Sequence, residues 1–384
     1  MLTELNKAQF KVAQPLFTRL AYNLAIAAVL EGTSPGRVWA DDAVTPQSAF
    51  IYTVEGCALG GRPDNDKFNQ ALAILIRDDL FGKGTLRQDE TEIDIRISAE
   101  WKDGLDDIAV ALGRPSIPAP RHHYVCRRLK LTDWQNRLPD GFSVRRIDED
   151  LLRGIEIEVP AHVRGWCKTN WGSLENYLKL GFGLCTIDKR EKKVVSWSVA
   201  DCISGDRCEI GIHTLPEYRR RGFASATAAA AVDHALARGF NQVGWHCDES
   251  NLGSIGVAEG VGFVKELDYS GNLHISDEGI HYVSYAYHLY LNSQFHACIE
   301  YLERALGLRD DYKFFTYHLA ARAYAACSDT DAAMRNLSRA ADLGETRWEL
   351  TKDCQHLAAL HDHPHWNEVL ERITRNAIPS VDPA

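Results

Sequence analysis

The residues best suited to chemistry lie between Glu209 and Ala224, where a strand-like run enters a short loop and then an alanine-rich helix. Gly222 and Ala224 carry little or no side chain, so the backbone there can approach a ligand closely. Unpaired N–H groups at a helix start, together with the helix dipole, attract anions. Three arginines, Arg219–Arg221, add positive charge beside this helix start. The segment therefore predicts a pocket for a phosphate or pyrophosphate.

The same segment resembles the signature of the GNAT superfamily of acyl-CoA N-acyltransferases. Arg219-x-x-Gly222-x-Ala224 fits the pattern Gln/Arg-x-x-Gly-x-Gly/Ala, which cradles the pyrophosphate of coenzyme A in that family, and Pro216 lies in the expected loop. The family's second conserved helix and the strand after it resemble the run Asn251-x-x-Ser254-x-x-x-Ala258-x-x-x-Gly262-Phe263. The resemblance covers residues 140–270. A narrower likeness, to the subgroup that includes the zwittermicin A resistance acetyltransferase, is carried by Glu209-Ile-Gly-Ile-x-Thr and Trp245-x-Cys-Asp-x-x-Asn251.

The resemblance implies that acetyl-CoA is the co-substrate and assigns residues to it. The backbone at the end of the Glu209 strand would pair with the pantetheine arm, and the N–H groups of residues 220–225 would hold the pyrophosphate. Asn251 would contact the pantetheine or secure its loop, and a splay between the Glu209 strand and the Gln242–Cys247 strand would open a slot for the thioester. The implied cofactor-binding residues are Ile212, His213, Thr214, Arg219, Arg220, Arg221, Gly222, Phe223, Ala224, Ser225, Asn251 and Ser254.

The implied reaction is direct attack of an amine on the thioester, and it benefits from a base. An alkylammonium has a pKa of about 10 and is a poor nucleophile until it loses a proton. Side chains alternate along a strand, so Glu209 and His213 share a face, and either or both are candidate bases. Acidic residues often serve in this place in GNAT enzymes, which favours Glu209, although a β-bulge would break the alternation. Ala258 replaces the tyrosine that often protonates the thiolate, which leaves the general acid open.

Three functions fit these residues. The first is an N-acetyltransferase that acts on a small-molecule amine, and the second is a protein or peptide N-acetyltransferase that recruits its acceptor through helical repeats. The third is a catalytically degenerate scaffold that binds acyl-CoA. The intact pyrophosphate loop favours the two enzymes over the scaffold.

The elements that position these residues indicate an α+β fold in three parts. Residues 1–118 are predicted to form an α/β region, and residues 6–30 within it one amphipathic helix. The mixture of strands and helices would allow this region to be a degenerate GNAT-like half. Three prolines in the run 114–120 indicate a linker. Residues 119–272 read as the GNAT domain, a mixed, splayed sheet flanked by helices.

The third part, residues 273–384, reads as an all-α domain of repeats close to the tetratricopeptide type. Apolar positions recur after 35 residues, so that Leu289, Ala297, Leu302, Ala305 and Leu308 correspond to Tyr324, Ala332, Leu337, Ala340 and Leu343. A last helix around Trp366 would cap the repeats. Such repeats commonly bind peptides, which makes a protein partner an expectation of this part.

The net charge and the cysteine spacing argue against some classes of function. A formal net charge of −10 argues against a broad nucleic-acid surface, which needs clustered positive charge. The ten cysteines are scattered singly, and the first residues lack a basic segment followed by an apolar core, so we expect reduced thiols in a cytoplasmic protein without a membrane span.

Two other groups of residues have competing interpretations. A zinc site is suggested by Cys354, His356, His361, His363 and His365, but their spacing lacks a recognised pair geometry and we predict no metal. The aromatic residues Trp166, Trp171 and Tyr177 either border the acceptor site or pack in the core.

Overall fold

The computed structural model describes residues 2–82 and 91–378, which divide into two compact units. The first unit comprises residues 2–76, 93–111 and 118–273, and the second comprises residues 77–82, 91–92, 112–117 and 274–378. The first unit therefore holds most of the predicted N-terminal region together with the predicted GNAT domain.

One mixed sheet of twelve strands is formed by the described residues. The strands are β1 (Thr3–Glu4), β2 (Arg37–Ala40), β3 (Ser48–Thr53), β4 (Gly56–Gly61), β5 (Glu92–Arg96), β6 (Ile117–Cys126), β7 (Phe142–Arg146), β8 (Gly183–Asp188), β9 (Lys193–Ser204), β10 (Arg207–Thr214), β11 (Gln242–Asp248) and β12 (Val264–Ile275). Their order is β1-β2-β3-β4-β5-β12-β6-β11-β10-β9-β8-β7. The strands of the two predicted regions thus join in one sheet.

Helices flank this sheet and make up the second unit. They are α1 (Leu24–Glu31), α2 (Asp66–Ile74), α3 (Lys102–Leu112), α4 (Glu149–Arg153), α5 (Ala161–Trp171), α6 (Leu174–Leu180), α7 (Phe223–Ala237), α8 (Leu252–Val261), α9 (Glu278–Leu291), α10 (Phe295–Leu308), α11 (Phe314–Ala326), α12 (Thr330–Asp342), α13 (Trp348–Lys352) and α14 (Trp366–Asn376). A π-helical segment, Leu75–Phe81, continues α2. The α+β prediction is confirmed.

The structure corrects the prediction of one helix over residues 6–30. A 3-10 helix covers Phe10–Leu20, and α1 begins only at Leu24. Pro15 cannot donate a backbone hydrogen bond, and the extended backbone of Asn23 separates the two helices. This break matters for function, because it leaves the first N–H groups of α1 available to another element.

The structure also corrects the proline-rich linker. Ile117–Cys126 form strand β6, whose antiparallel pairing with β11 runs from Arg121 to Cys126. Pro118 and Pro120 precede this paired segment, so their missing N–H groups cost no hydrogen bond to β11. Pro118 and Pro120 thus lie within a strand, and the chain passes from the second unit to the first just before them, between residues 117 and 118.

The alanine-rich helix α7 packs on β8, β9 and β10 through small side chains. Ala228, Ala229, Ala231 and Ala235 are fully buried, which brings the helix axis close to the sheet. Close packing fixes the N-terminus of α7 relative to the strand end that precedes it.

The second unit contains two helix pairs, α9–α10 and α11–α12, at the spacing that the sequence repeat predicted. Leu302 and Ala305 of the first pair are buried, as are Leu337 and Ala340 at the equivalent positions of the second. Trp366 of α14 packs into the same cluster as Leu337. The predicted terminal helix is confirmed.

All ten cysteines are free, and eight of them are buried. Among residues 2–82 and 91–378, no helix combines the length and apolar character that crossing a bilayer requires.

A larger side chain under α7 should destabilise the first unit. We expect Ala229→Leu to lower its free energy of unfolding by about 1–3 kcal/mol, because the tightly packed core must shift to admit the added atoms. Urea unfolding followed by tryptophan fluorescence measures the change. Ala237→Leu, at an exposed position of the same helix, should stay within about 0.5 kcal/mol of wild type. Equal effects of the two variants would contradict the packing described.

Candidate active site

The site forms where two central strands part. Strands β10 and β11 run parallel but pair only over Arg207–Glu209 and Gln242–Gly244. Beyond Glu209, β10 continues on β9, and β11 continues on β6. The main-chain groups of residues 210–214 that face the gap therefore have no partner strand there. The splay implied by the family resemblance is present, and Glu209 lies at its vertex.

A cleft of about 650 Å³ lies along the end of β10 and the start of α7. Every predicted cofactor-binding residue except Arg221 lines it. Its walls are Ile212, His213, Thr214, Tyr218, Arg219, Arg220, Gly222, Phe223, Ala224, Ser225, Asn251, Leu252, Gly253, Ser254, Gly256 and Val257. The Arg221 guanidinium instead lies over the rings of Phe142, Tyr218 and Phe223, 5.1–5.6 Å from their centroids.

The loop before α7 has the geometry of an anion site. Arg220 and Gly222 adopt left-handed backbone conformations, with φ of 57° and 83°. The first main-chain hydrogen bond of the helix runs from the Ala226 N–H to the Gly222 carbonyl, so residues 223–225 keep their N–H groups for a ligand. A Cβ added at Gly222 would meet no atom within 4 Å, which shows open space at this point. The Arg219 guanidinium donates to the Thr214 carbonyl and braces the loop.

A second, smaller cavity of about 260 Å³ adjoins the cleft. The two share Ile212, Asn251 and Ser254. The cavity walls are Glu55, Arg121, Trp166, Asp201, Glu209, Ile210, Gly211, Ile212, Trp245, His246, Cys247, Asp248, Asn251 and Ser254. A ligand in the cleft and a ligand in the cavity would therefore meet beside Ile212, Asn251 and Ser254.

Glu209 is buried and held by hydrogen bonds from distant parts of the chain. Its Oε1 accepts from the Leu24 N–H at 2.9 Å and is 3.1 Å from His246 Nε2. Gly244 makes room for this carboxylate, because a Cβ there would lie 2.7 Å from Glu209 Cγ. Burial raises the pKa of Glu209, but His246 and the Leu24 N–H outweigh it and the net pKa is lowered. The carboxylate is therefore ionised at neutral pH.

His246 continues a hydrogen-bond chain away from Glu209. Its Nδ1 lies 2.9 Å from the Tyr269 hydroxyl, to which the Arg121 Nε donates at 3.1 Å. Because an ionised Glu209 accepts from Nε2, a neutral His246 carries its proton on Nε2 and accepts from Tyr269 at Nδ1. His246 was not among the residues predicted from the sequence, because only the β10–β11 register brings it beside Glu209.

His123, Glu209 and His246 bring donor atoms within 4.8 Å of one another, the only such group of three in the described chain. The His123 and His246 rings stack, with centroids 4.5 Å apart and planes 17° apart. A zinc ion lies in the plane of each imidazole that binds it, at about 2.0–2.1 Å from nitrogen. Nearly parallel, stacked rings do not meet at one such point. The group is therefore suited to hydrogen bonding rather than to one shared ion.

His213, the other predicted base, lies in the cofactor cleft and not in the cavity. Residues 210–214 of β10 pair one by one with β9, so Glu209 and His213 keep the same face, four residues and about 13 Å apart. The His213 ring stacks on Trp197 at 4.6 Å, and burial lowers its pKa. The structure thus separates the two candidate bases.

The sequence-based search missed Asp201. The pairing of β9 with β10 skips Asp201, because Glu209 faces Cys202 while Ile210 faces Ala200. A bulge of this kind re-aims a side chain, and Asp201 lines the cavity. No local signal in the sequence marks the bulge.

The other residues that the sequence singled out do not come together in one site. Trp166 lines the cavity, whereas Trp171 and Tyr177 are buried and donate to the carbonyls of Ala200 and Ile147. Ala258 is fully buried, so that position faces no ligand. The histidines of the tail contact different partners, which are Tyr290 for His356, Trp366 for His361, Asp331 for His363 and Glu368 for His365.

Known proteins are similar to this chain over most of the first unit. The family model described as GNAT acetyltransferase matches residues 14–271. The match begins far upstream of the residues that carry the sequence resemblance, and it ends before the helix pairs of the second unit.

Two proteins are similar over most of this length. A Bacillus subtilis (strain 168) protein named uncharacterized N-acetyltransferase YdfB is 26% identical over 273 residues, which is 70% of this chain and 97% of that one. A GCN5-related N-acetyltransferase-like protein of Streptococcus suis 89/1591 has a similar fold, with a TM-score of 0.51 and 24% identity over 70% of this chain and 98% of that chain.

The buried His123 should make the first unit sensitive to acid. Burial and the neighbouring His246 lower the pKa of His123 to about 4, whereas an unfolded histidine titrates near 6.5. Its contribution to stability is complete above pH 6.5 and is lost as the pH falls towards 4. We expect His123→Phe, which keeps a ring against His246, to reduce the loss of unfolding free energy between pH 7 and pH 4.5 by about 2–3 kcal/mol. Urea unfolding at both pH values measures it, and an unchanged loss would contradict the assignment.

Proposed function

Because this chain belongs to the GNAT acetyltransferase family, it is an acyltransferase, and we propose that it transfers an acetyl group from acetyl-CoA to an amine of a small molecule. Glu209 would act as the base. The observation that carries this proposal is the place of Glu209, an ionised carboxylate that lines the cavity three residues before Ile212, where the cavity adjoins the cleft.

The residues of the cleft fit coenzyme A. The open N–H groups of residues 223–225 and the left-handed turns before them suit a pyrophosphate, and Arg219 and Arg220 supply positive charge. The unpaired edge of residues 212–214 suits the amides of the pantetheine arm. Asn251 caps α8 through the Ser254 N–H and holds the opposite wall in place.

Glu209 and His246 would take the proton that the acceptor must lose. The ammonium first passes one proton to Glu209. The free amine nitrogen then forms a bond to the acetyl carbonyl carbon as the carbon–sulfur bond breaks, and the second nitrogen proton passes to solvent as the amide forms. His246 and Tyr269 would stabilise the change of charge through their hydrogen bonds. The thiolate leaves into the cleft. Tyr218 is the one tyrosine among the residues that line the cleft, and its hydroxyl donates to Asp188 Oδ2 at 3.3 Å. We propose that solvent protonates the thiolate.

The size of the cavity favours a small acceptor. About 260 Å³ enclosed by Trp166 and Trp245 holds a small amine rather than a folded protein surface. Within the family we propose the subgroup of the zwittermicin A resistance acetyltransferase, on the run from Glu209 to Thr214. We further propose that the region before β6 is a second GNAT-like half and that the helix pairs of the second unit are tetratricopeptide-like.

Blocking the anion site should abolish acetyl-CoA binding. In wild type, acetyl-CoA at a hundred times its dissociation constant should raise the free energy of unfolding by about 2.7 kcal/mol. We expect Gly222→Glu to remove this shift, because its carboxylate enters the space meant for phosphate. Thermal unfolding measures the shift.

Gly239→Glu is the matched control for Gly222→Glu. Gly239 follows the other end of α7, has φ of 94° and also has no atom within 4 Å of an added Cβ. The backbone strain is therefore similar, and the shift with acetyl-CoA should persist. Loss of the shift in both variants would attribute the effect to folding, and its retention in both would exclude this cleft.

Removing the base should slow catalysis without loss of cofactor binding. We expect Glu209→Gln to lower kcat by about 10²–10⁴-fold, because the amide still accepts from Leu24 and His246 but takes no proton. Steady-state kinetics with an accepted amine measures this, with the thermal shift by acetyl-CoA as a check on binding. Glu175→Gln, at an exposed position of α6, should keep wild-type kcat. A wild-type kcat in Glu209→Gln would exclude Glu209 as the base.

A further inference from the structure

Two carboxylates of the cavity, Asp201 and Glu55, form no salt bridge among the described residues, although Arg96 and Arg121 attract Glu55 over a longer distance. The cations nearby already form salt bridges with other carboxylates, although Nε and Nη1 of Arg96 have no hydrogen-bond partner in the described part of the chain. Arg121 pairs with Asp248 at 2.9 Å, and Glu209 pairs with His246 at 3.1 Å. Arg96, the further buried cation near Glu55, pairs with Asp94 at 3.3 Å. The cavity therefore has an excess of negative charge.

One carboxylate oxygen of Asp201 accepts hydrogen bonds from the described chain, and the other accepts none. Its Oδ1 accepts from Trp166 Nε1 and from Asn170 Nδ2, both at 2.7 Å. Its Oδ2 has no hydrogen-bond partner in the described chain, although the residue is only 7% exposed. Oδ2 would lie 2.9 Å from a Cβ on Gly211, so this glycine keeps the space beside it open. Both residues line the cavity, into which Oδ2 is therefore directed.

Such a carboxylate is costly to ionise without a cation. Burial raises the pKa of Asp201 well above its ordinary value, and the charge of Glu55 raises it further. The hydrogen bonds from Trp166 and Asn170 only partly offset these effects. A positively charged ligand group beside Oδ2 would supply the missing partner.

We propose that the acceptor carries a second cationic group, and that Asp201 and Glu55 bind it while Glu209 takes the proton from the reacting amine. This inference rests on the proposed acetyl transfer. Asp201 and Glu209 lie on neighbouring strands within about one residue of register, so the two nitrogens of the acceptor are separated by a short spacer. The substrate class is a short diamine, or an amine that bears a guanidinium group.

The test compares two acceptors of equal length. 1,3-Diaminopropane and n-butylamine differ by an ammonium in place of a methyl group. We expect wild type to acetylate the diamine with a kcat/KM at least about tenfold higher, mainly through KM, because a charged hydrogen bond is worth at least that factor. Asp201→Asn keeps the shape and the Oδ1 contacts but loses the charge, so the ratio should fall towards one. Glu55→Gln should lower the ratio in the same direction.

Asp140→Asn is the control, since Asp140 is exposed just before β7 at the far edge of the sheet, and it should keep the wild-type ratio. Thermal shift with each amine alone separates the two proposals. A shift by the diamine that Asp201→Asn abolishes supports the cation site even if no amine is acetylated, which would reject only the acetyl transfer. Equal kcat/KM for the two amines, a ratio unaffected by Asp201→Asn, or neither binding nor turnover of the diamine overturns the cation site.

Discussion

The parting of β10 and β11 after Glu209 is the constraint on which the rest of the structure depends. Three paired residues hold the strands together, and the next five residues of β10 have a partner on one side only. Unpaired main-chain groups inside a protein are costly unless a ligand satisfies them. The cleft and the cavity both lie along this gap, so one departure from regular pairing creates the two spaces proposed for the cofactor and the acceptor.

The vertex of the gap needs residues that lie far from it in sequence. Glu209 accepts from the first N–H of α1, 185 residues upstream, and Glu55 closes the cavity from the turn between β3 and β4. The N-terminal region therefore contributes residues to the candidate site. This accounts for a family match that begins at residue 14, although the recognisable motif begins near Glu209.

Sequence reasoning succeeded where the information is local. The loop before α7, where the sequence predicts a phosphate pocket, lines the cleft, because glycine and helix-start chemistry act within a few residues. It failed where pairing between distant segments decides. The prolines of residues 114–120 predict a linker, but Pro118 and Pro120 begin the strand whose next six residues pair with β11. His246 becomes a neighbour of Glu209 only through the register of distant strands. Asp201 faces the cavity because of a bulge that no local pattern encodes.

Glu209 and Asp201 are buried carboxylates on neighbouring strands, and their pKa values are shifted in opposite directions. The pKa of Glu209 is lowered, because a histidine and a main-chain N–H stabilise its charge. The pKa of Asp201 is raised, because burial and nearby negative charge outweigh two neutral donors. Two acids whose environments shift their pKa values in opposite directions commonly have different roles. Glu209 has a partner within the protein, His246, which fits its proposed role as the base, whereas Asp201 has no salt bridge within the described chain, which fits the proposed cationic ligand.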